Sequence, residues 1–312
     1  MINIKRILCP TDLSSHSGTA LRYAFGLARS YEAELVLLYC EHGSQSDRIQ
    51  RKLGVDNTKL LESALCENVT PSALIGARWR TRVVETEEIG EEITRVAEAE
   101  ATDLIVMRSR RRPNRAALLG STAETVSRRA PCPVLVMHDD EHDWINEGLQ
   151  IDLKKILVAY DFSDFSEIAL NYALSIAQEH GAELHLLHVL PPRSVNEPEI
   201  AWSSIKGESA YQNAARRLQR AVPSEAHLWC KIRHVVSEGH PYREILNYAE
   251  DNEIDLIGLG AHGAGFGMKA LFGSNVDRVL RQAPCPVLVA RPLRPKFYQT
   301  RREHRAPVSV AS

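Results

Sequence analysis

The 312-residue chain repeats itself, and this internal repeat limits the folds that are open to it. Three segments of the first half return in the second: ALRYA at residues 20–24 as ALNYA at 169–173, AELVLL at 33–38 as AELHLL at 182–187, and APCPVLV at both 130–136 and 283–289. The first two pairs share one offset, and a short insertion explains the slightly larger offset of the third. The repeat predicts two homologous domains at 1–145 and 150–295, joined by the polar stretch 138–150 and followed by a basic tail at 296–312.

Within each half, short apolar runs alternate with segments whose apolar residues repeat at helical spacing. In the second half we expect strands and helices as follows: strands at 155–160, 183–189, 228–237, 256–260 and 287–290, and helices near 165–180, 208–221, 242–252 and 274–283. This alternation is typical of an α/β fold, here two tandem doubly wound domains, each a five-stranded parallel sheet with helices on both faces. Ligands bind beyond the carboxyl ends of such strands, so Asp161 and Gly260 would meet there if the strand order is 3-2-1-4-5.

The stretch GAHGAGFGMKALFGS, residues 260–274, places five glycines between an apolar strand and a helical pattern. A glycine-rich turn before a helix can bind an anion, because backbone N–H groups can approach a phosphate and the helix dipole adds positive potential. No Gly-Lys-Ser/Thr follows, so the phosphate-loop signature is excluded, and Gly265, Gly267 and Ala270 form only a weak dinucleotide fingerprint. We therefore expect a nucleotide site, with a simple flexible turn as the alternative.

The spacing of Gly260, Gly263, Gly273 and Ser274 resembles the pattern G-x2-G-x9-G-[S/T] of the ATP-binding universal stress proteins. The segment KKILVAYDFSDFS, residues 154–166, is similar to the first strand and turn of that family, and both halves resemble its members. The resemblance implies strand order 3-2-1-4-5 in each domain and ATP or a related adenine nucleotide as the ligand, with Mg²⁺ expected beside ATP. It also implies a role in stress survival rather than a defined reaction.

The resemblance further implies which residues of the second half contact the nucleotide. Ala159, Tyr160 and Asp161 would border adenine and ribose, Val189 would flank the base, Leu259, Gly260 and Gly263 would face ribose and phosphates, and Gly273, Ser274 and Asn275 would close on the phosphates. Ser274 or Asn275 can cap the last helix, whose first-turn N–H groups then face the anion. For Asp161, contact with the ligand is favoured over a purely local role at the start of a helix.

The first half departs from this pattern in the stretch MRSRRRPNRAALLGS, residues 107–121. The loop from the shared DLI to the shared Gly-Ser pair is one residue shorter there than in the second half. Counting back from the shared Gly-Ser pair places Met107 and Arg110 where the second half has its first two glycines. Counting forward from the shared DLI places Arg108 and Arg111 there. Both glycines are absent under either alignment.

Only Gly120 and Ser121 of the phosphate motif survive in the first half. Because a side chain in place of the second glycine would occupy space that phosphates need, we expect a degenerate nucleotide site, in which Asp12 could still serve a base pocket. A solvated basic loop is favoured, although guanidinium groups of this loop could instead hold a phosphate directly. The arginines concerned are Arg108, Arg110, Arg111, Arg112 and Arg115.

Composition sets further limits on function. The formal net charge is -2, and 25% of the residues are charged, which predicts no nucleic-acid or membrane partner. The apolar run at the start is too short for a signal peptide, and no segment approaches the roughly 20 apolar residues of a membrane span, so we expect a cytoplasmic location. The six cysteines are scattered and are expected to be buried, small apolar side chains.

Other candidate sites are weaker. His185 and His188 are three residues apart on an expected strand, so their side chains should lie on opposite faces and share no metal. We find no Ser-His-Asp arrangement and no paired acid and base, and predict no catalytic residues. The basic tail combines arginines with aromatic residues, but a disordered solvated end is favoured over a nucleic-acid arm.

The fifth strands, CPVLVM and CPVLVA, would be apolar edge strands, which are rarely left exposed. We expect them to pair with each other within one chain, antiparallel across a pseudo-twofold axis, and leave open a homodimer of whole chains. The sequence thus predicts a cytoplasmic stress-response protein that binds ATP in its C-terminal domain and acts through conformation or partner binding. Two alternatives are slow ATP hydrolysis or self-phosphorylation, and a nucleotide-independent scaffold.

Overall fold

The structure, a computed structural model, describes residues 2–42, 56–109, 120–138, 143–146, 148–192, 209–262 and 273–292. The first half contributes five strands: β1 (Arg6–Thr11), β2 (Glu34–Glu41), β3 (Trp79–Glu85), β4 (Leu104–Arg108) and β5 (Val134–Met137). The second half contributes five more: β6 (Lys155–Ala159), β7 (Glu183–Leu190), β8 (Ile232–Glu238), β9 (Leu256–Gly260) and β10 (Val287–Ala290). Three parts of the sequence predictions lie outside the described residues: Gly263, the arginines within 110–119, and the tail at 296–312.

Helices connect successive strands in both halves. Those of the first half are α1 (Gly18–Ser30), α2 (Asn57–Asn68), α3 (Pro71–Leu74), α4 (Ile89–Ala99) and α5 (Ser121–Arg129). Those of the second half are α6 (Asp164–His180), α7 (Ala210–Ala221), α8 (Pro241–Asp251) and α9 (Ser274–Gln282). Two 3₁₀ turns, Ser15–Ser17 and Ser224–Leu228, precede α1 and β8.

One expected strand begins later than its sequence suggests. The run predicted as strand 228–237 starts with the 3₁₀ turn, where Leu228 is 87% exposed, and β8 begins only at Ile232. A strand exists only where a neighbour supplies its hydrogen bonds, and the register with β7 starts at the pair Leu184 and Ile232. Apolar character alone therefore overestimated the length of this strand.

The ten strands form one sheet, in the order β3-β2-β1-β4-β5-β10-β9-β6-β7-β8. Each half has the predicted order 3-2-1-4-5, and its neighbouring strands are parallel. The predicted pairing of the fifth strands is also confirmed: β5 and β10 are antiparallel, with Leu135 opposite Leu288 at the centre. The two five-stranded sheets are thus continuous. Because the two halves run in opposite directions, their carboxyl ends lie at opposite edges of the sheet.

The core consists of two apolar layers, one on each face of the sheet. One layer includes residues of α1, α2, α6 and α7, and the other includes residues of α4, α5, α8 and α9. Each layer draws side chains from both halves, so the apolar surface buried at the seam is continuous with that inside each half. The pairing of β5 with β10 thus produces a shared core.

The described residues of the polar stretch that joins the halves include apolar side chains that pack on the first half. Trp144 is 3% exposed, and its ring contacts Tyr23 of α1 edge-on at a centroid distance of 4.5 Å. The backbone N–H of Trp144 donates to the Tyr23 hydroxyl at 3.0 Å, and Ile145 forms an antiparallel bridge with Ile151. Its few large apolar residues fix this segment on α1, in spite of the polar residues around them.

Two nitrogen-containing side chains make hydrogen bonds across the seam from equivalent positions. His138 follows β5, is 2% exposed, and places Nε2 2.6 Å from the carbonyl oxygen of Leu280 in α9. Arg291 follows β10 and donates at 2.5 Å to the carbonyl of Ser127, the residue of α5 that corresponds to Leu280. The Nδ1 of His138 also lies 3.0 Å from the carbonyl oxygen of Ser109. A neutral imidazole carries one N–H, so it donates to one of these two carbonyl groups, and the tautomer decides which.

We predict that His138→Ala lowers the free energy of unfolding by about 1–3 kcal/mol, because it removes a buried side chain and the hydrogen bond that its ring donates to a buried carbonyl group. His138→Arg, which copies Arg291, should retain most of the stability. Chemical denaturation of the three proteins measures the difference. Unchanged stability of His138→Ala would show that the contact across the seam contributes nothing.

Candidate functional site

The second half contains a cavity of about 300 Å³ at the carboxyl edge of the sheet. Its floor is formed by the ends of β6, β7 and β9, and the N-terminus of α9 closes one side. Strand order reverses between β6 and β9, which is where doubly wound sheets bind their ligands. The topology thus produces a crevice at the position expected from the sequence.

The cavity brings together the described residues to which the sequence assigned nucleotide contacts. They are Ala159, Tyr160, Asp161, Val189, Leu259, Gly260, Gly273, Ser274 and Asn275. The tenth, Gly263, lies outside the described residues. Other residues that the sequence did not indicate also line the cavity, among them His188 at the end of β7 and Pro241 and Ile245 in α8. The start of α8 could have been predicted as part of the cavity wall, because every helix that follows a parallel strand begins at the carboxyl edge of the sheet.

The N-terminus of α9 presents the backbone N–H groups of its first turn to the cavity. Its N-cap is Gly273, which has no side chain, so the expected capping by Ser274 or Asn275 is wrong. Both residues are instead inside the first turn, where backbone N–H groups have no partner within the helix. Ser274, Asn275 and Val276 all line the cavity. These N–H groups and the positive end of the helix dipole together form an environment that suits an anion.

Asp161 has a structural role as well as a place in the cavity wall. One carboxylate oxygen accepts hydrogen bonds from Ser163, from its backbone N–H at 3.1 Å and from its hydroxyl at 2.5 Å. This turn holds Phe162 at φ +64°, a conformation that costs energy for a residue with a β-carbon. The actual N-cap of α6 is Ser163, which accepts from the N–H of Ser166 at 3.2 Å. The local role and the cavity position of Asp161 therefore coexist.

The structure gives Gly260 a packing role in addition to the phosphate role that the sequence suggested. A β-carbon at this position would lie 2.6 Å from the carbonyl carbon of Phe165, in the first turn of α6. Such contacts with backbone cannot be relieved by turning a side chain. At Gly273 the nearest atom would be 3.5 Å away, on the side chain of Val276, and φ is an ordinary -58°. Gly260 is thus required for α6 to approach β9, whereas Gly273 is not required by packing.

Histidines lie on both faces of β7, as their odd spacing predicted. His185 is buried, with Nδ1 3.0 Å from the hydroxyl of Tyr248 in α8. On the opposite face, Nδ1 of His188 donates to the carbonyl of Tyr160 at 2.7 Å and thereby links the ends of β6 and β7. Among the described residues, no group of three His, Cys, Asp or Glu side chains is arranged to hold a metal ion.

The first half has a corresponding cavity of about 430 Å³, and its geometry settles the alignment of the two loops. Arg108 pairs with Met137 in the first half, and Gly260 pairs with Ala290 in the second. Because Met137 and Ala290 both follow the repeated segment APCPVLV, Arg108 is the counterpart of Gly260, and the alignment that counts forward from the shared DLI is correct. Asp12 repeats the turn of Asp161, accepting from the N–H and hydroxyl of Ser14 at 3.0 and 2.6 Å. The first half therefore keeps a cavity and the aspartate turn, but has an arginine in place of the first glycine.

We predict that Gly260→Ala lowers the free energy of unfolding by about 1–3 kcal/mol even without nucleotide, because the added carbon overlaps the α6 backbone. Gly273→Ala is the matched control and should cost no more than about 1 kcal/mol, from the weaker N-cap preference of alanine. Chemical denaturation of the nucleotide-free proteins measures both values. Equal stability of the two variants would contradict the packing role of Gly260.

A second prediction concerns acid. Burial lowers the pKa of four histidines in the second half: His180, His185, His188 and His234. The folded state then favours the neutral form, and below the ordinary histidine pKa of about 6.5 the unfolded chain binds more protons. The stability that these groups contribute is complete above that pH and falls as the pH drops through the lowered pKa values.

The midpoint of thermal unfolding should therefore decrease between about pH 7.5 and about pH 5.5. The decrease should be smaller in His188→Asn, because the asparagine amide can still donate to the carbonyl of Tyr160 but does not titrate. An equal decrease in the unmodified protein and His188→Asn would contradict this assignment.

No helix in the described part of the chain is both long enough and apolar enough to cross a membrane. The family model described as the universal stress protein family matches residues 3–138 and again residues 152–291. A universal stress protein of Methanocaldococcus jannaschii is 34% identical over 141 residues, which are 44% of this chain and 82% of the relative. One of Bacillus subtilis is 32% identical over 146 residues, 44% of this chain and 98% of the relative.

Among solved structures, a universal stress protein from Archaeoglobus fulgidus has a TM-score of 0.62 to this chain. The two are 23% identical, and the match covers 93% of this chain and 99% of that one, so it supports the overall fold. The assignment to a family rests on the sequence model, which matches both halves separately. This chain therefore belongs to the universal stress protein family.

Proposed function

We propose that the chain binds ATP in its second half and serves in stress response through a nucleotide-dependent conformation or partner. The observation that supports this most directly is the second-half cavity, in which the nine described residues of the predicted site surround the N-terminus of α9. The donors of that helix turn suit phosphates, since each first-turn N–H can donate to a phosphate oxygen.

The remaining walls of the cavity suit a purine nucleoside. Val189, Ile245 and Leu259 provide apolar surface on which a flat base can lie, and Asp161 offers a carboxylate to hydroxyl or amino groups. The cavity volume of about 300 Å³ lies at the lower limit of small-molecule sites, which span roughly 300–1,000 Å³. In this proposal Mg²⁺ arrives with the nucleotide and is held mainly by its phosphates, as is usual for this ion.

We expect Ser274→Asp to weaken ATP binding by at least about ten- to a hundredfold, the effect of losing one charge-assisted hydrogen bond. The new carboxylate would lie where the phosphate is expected, and would repel it, whereas an acidic residue in the first turn favours the helix itself. Ser121→Asp makes the same change in the first half and should leave ATP affinity unaltered. Isothermal titration calorimetry should give a stoichiometry near one ATP per chain.

Equal losses in the two variants, or a stoichiometry near two, would contradict an ATP site confined to the second half. Absence of ATP binding by the folded unmodified chain would favour the nucleotide-independent scaffold. Release of phosphate, or transfer of labelled phosphate to the protein, would favour the catalytic alternative. Calorimetry together with an assay for phosphate release or transfer, on the same preparation, thus distinguishes ATP binding, ATP-dependent catalysis and a nucleotide-independent scaffold.

A further inference from the structure

The first-half cavity contains a buried polar group whose hydrogen-bonding capacity is unused. Ser109 is 2% exposed, and no described residue lies within hydrogen-bonding distance of its Oγ. Its N–H donates to the carbonyl of Met137 at 2.8 Å, which continues the alternation of β4. By that alternation its side chain lies on the same face as Met107, and both residues line the cavity. The corresponding residue of the second half is Ala261, so this hydroxyl is a feature of the first half alone.

Other hydrogen-bond donors lie along the same wall of the cavity. The N-terminus of α5 has Gly120 as its N-cap, with φ and ψ of -60° and 141°, close to the -58° and 131° of Gly273. Ser121 and Thr122, in the first turn of this nine-residue helix, line the cavity together with Arg108. The backbone donors of a phosphate site are thus retained, and a guanidinium and a hydroxyl are added to them.

The cavity is also wider than its counterpart for an identifiable reason. Thr11 occupies the position of Tyr160, and Ala123 that of Val276, so two smaller side chains line the first-half cavity. These replacements agree with volumes of about 430 Å³ and about 300 Å³ in the two halves. A cavity that had only lost its function would not be expected to gain both space and polar groups.

We propose that the first-half cavity is a second ligand site, built for a small phosphate monoester that carries hydroxyl groups, such as a sugar phosphate. Ser109, Ser121 and the first-turn N–H groups of α5 would hold the phosphate, Arg108 would reach it across the end of β4 from the other face of the strand, and Asp12 would accept hydrogen bonds from the hydroxyl groups. A phosphate fits this donor set better than a carboxylate, because its three terminal oxygens can use donors from several directions. The proposal does not depend on ATP binding in the second half.

A single phosphate is favoured over a triphosphate because Arg108 stands where the second half has glycine. The arginine adds one concentrated positive charge, which matches one phosphate group through paired N–H donors. It also adds bulk beside the end of β4, where a chain of phosphates would need close approach to the backbone. The two halves would then bind ligands of different length.

The test uses the full chain with Ser274→Asp, in which the second-half site is blocked, and ribose 5-phosphate as the probe. Calorimetry should detect one ribose 5-phosphate per chain, with ribose, gluconate and ATP each at least about tenfold weaker. Adding Arg108→Gln should weaken binding by about ten- to a hundredfold, the effect of one charge-assisted hydrogen bond. Adding Ser109→Ala, which copies Ala261, should weaken it about two- to tenfold, and Ser121→Asp should abolish it.

Arg95→Gln is the matched control, because Arg95 pairs with Glu92 on the exposed side of α4 and does not line the cavity. Circular dichroism of each variant shows whether it is folded. The proposal is overturned if the folded Ser274→Asp protein binds no ribose 5-phosphate, or if Arg108→Gln behaves like Arg95→Gln. Tighter binding of gluconate would identify a carboxylate site, and tighter binding of ATP a second triphosphate site, and either result would also reject it.

ATP titration of Arg108→Gln with Ser274 intact tests the second-half site separately. Retained ATP binding by Arg108→Gln, together with no ribose 5-phosphate binding by the Ser274→Asp protein, would reject only the inference made for the first half. The opposite result would reject only the proposed ATP site. Failure of one proposal is thus distinguishable from failure of the other.

Discussion

The antiparallel pairing of β5 with β10 is the interaction on which the rest of the architecture depends. Both strands are only four residues long and fully buried, and each would be an apolar sheet edge if the halves separated. Separation would also open both apolar layers, since each draws on residues from the two halves. Exposing a long apolar edge is unfavourable in water, so the two repeats are expected to fold and unfold together.

The seam also determines how the two cavities are related. The helices α5 and α9 each begin at the cavity of their own half, and each has a carbonyl near its other end bonded by the opposite half. Arg291 contacts α5, and His138 contacts α9 and the backbone of Ser109. A shift of either helix on binding an anion would therefore strain a hydrogen bond across the seam. Each of the two helices is thus bonded to the opposite half near the end away from its cavity.

Much of the fold could be predicted because the repeat and the alternation of strands and helices specify topology independently of detail. Segments that recur at one offset predict the same strands and helices in both halves. Two apolar edge strands can be shielded from water by pairing with each other, which predicts the seam. The candidate site followed from the same logic, since residues at the carboxyl ends of β6 and β9 must converge. Predictions that depended on the exact end of an element were less successful, as at the start of β8 and at the N-cap of α9.

The role of Gly260 shows what the sequence could not reveal. A glycine in a phosphate-like motif suggests a ligand, but the steric reason lies with Phe165, which is distant in sequence and contacts it only once α6 packs on β9. In the first half, Arg108 occupies this position and the helix entry differs: the 3₁₀ turn Ser15–Ser17 replaces the regular first turn of α6. A β-carbon at this point in the strand is compatible with that altered entry, but not with the close approach of α6 in the second half. The glycine at the end of β9 and the regular first turn of α6 thus occur together in the second half, and the first half has neither, although it keeps the strand order and the aspartate turn.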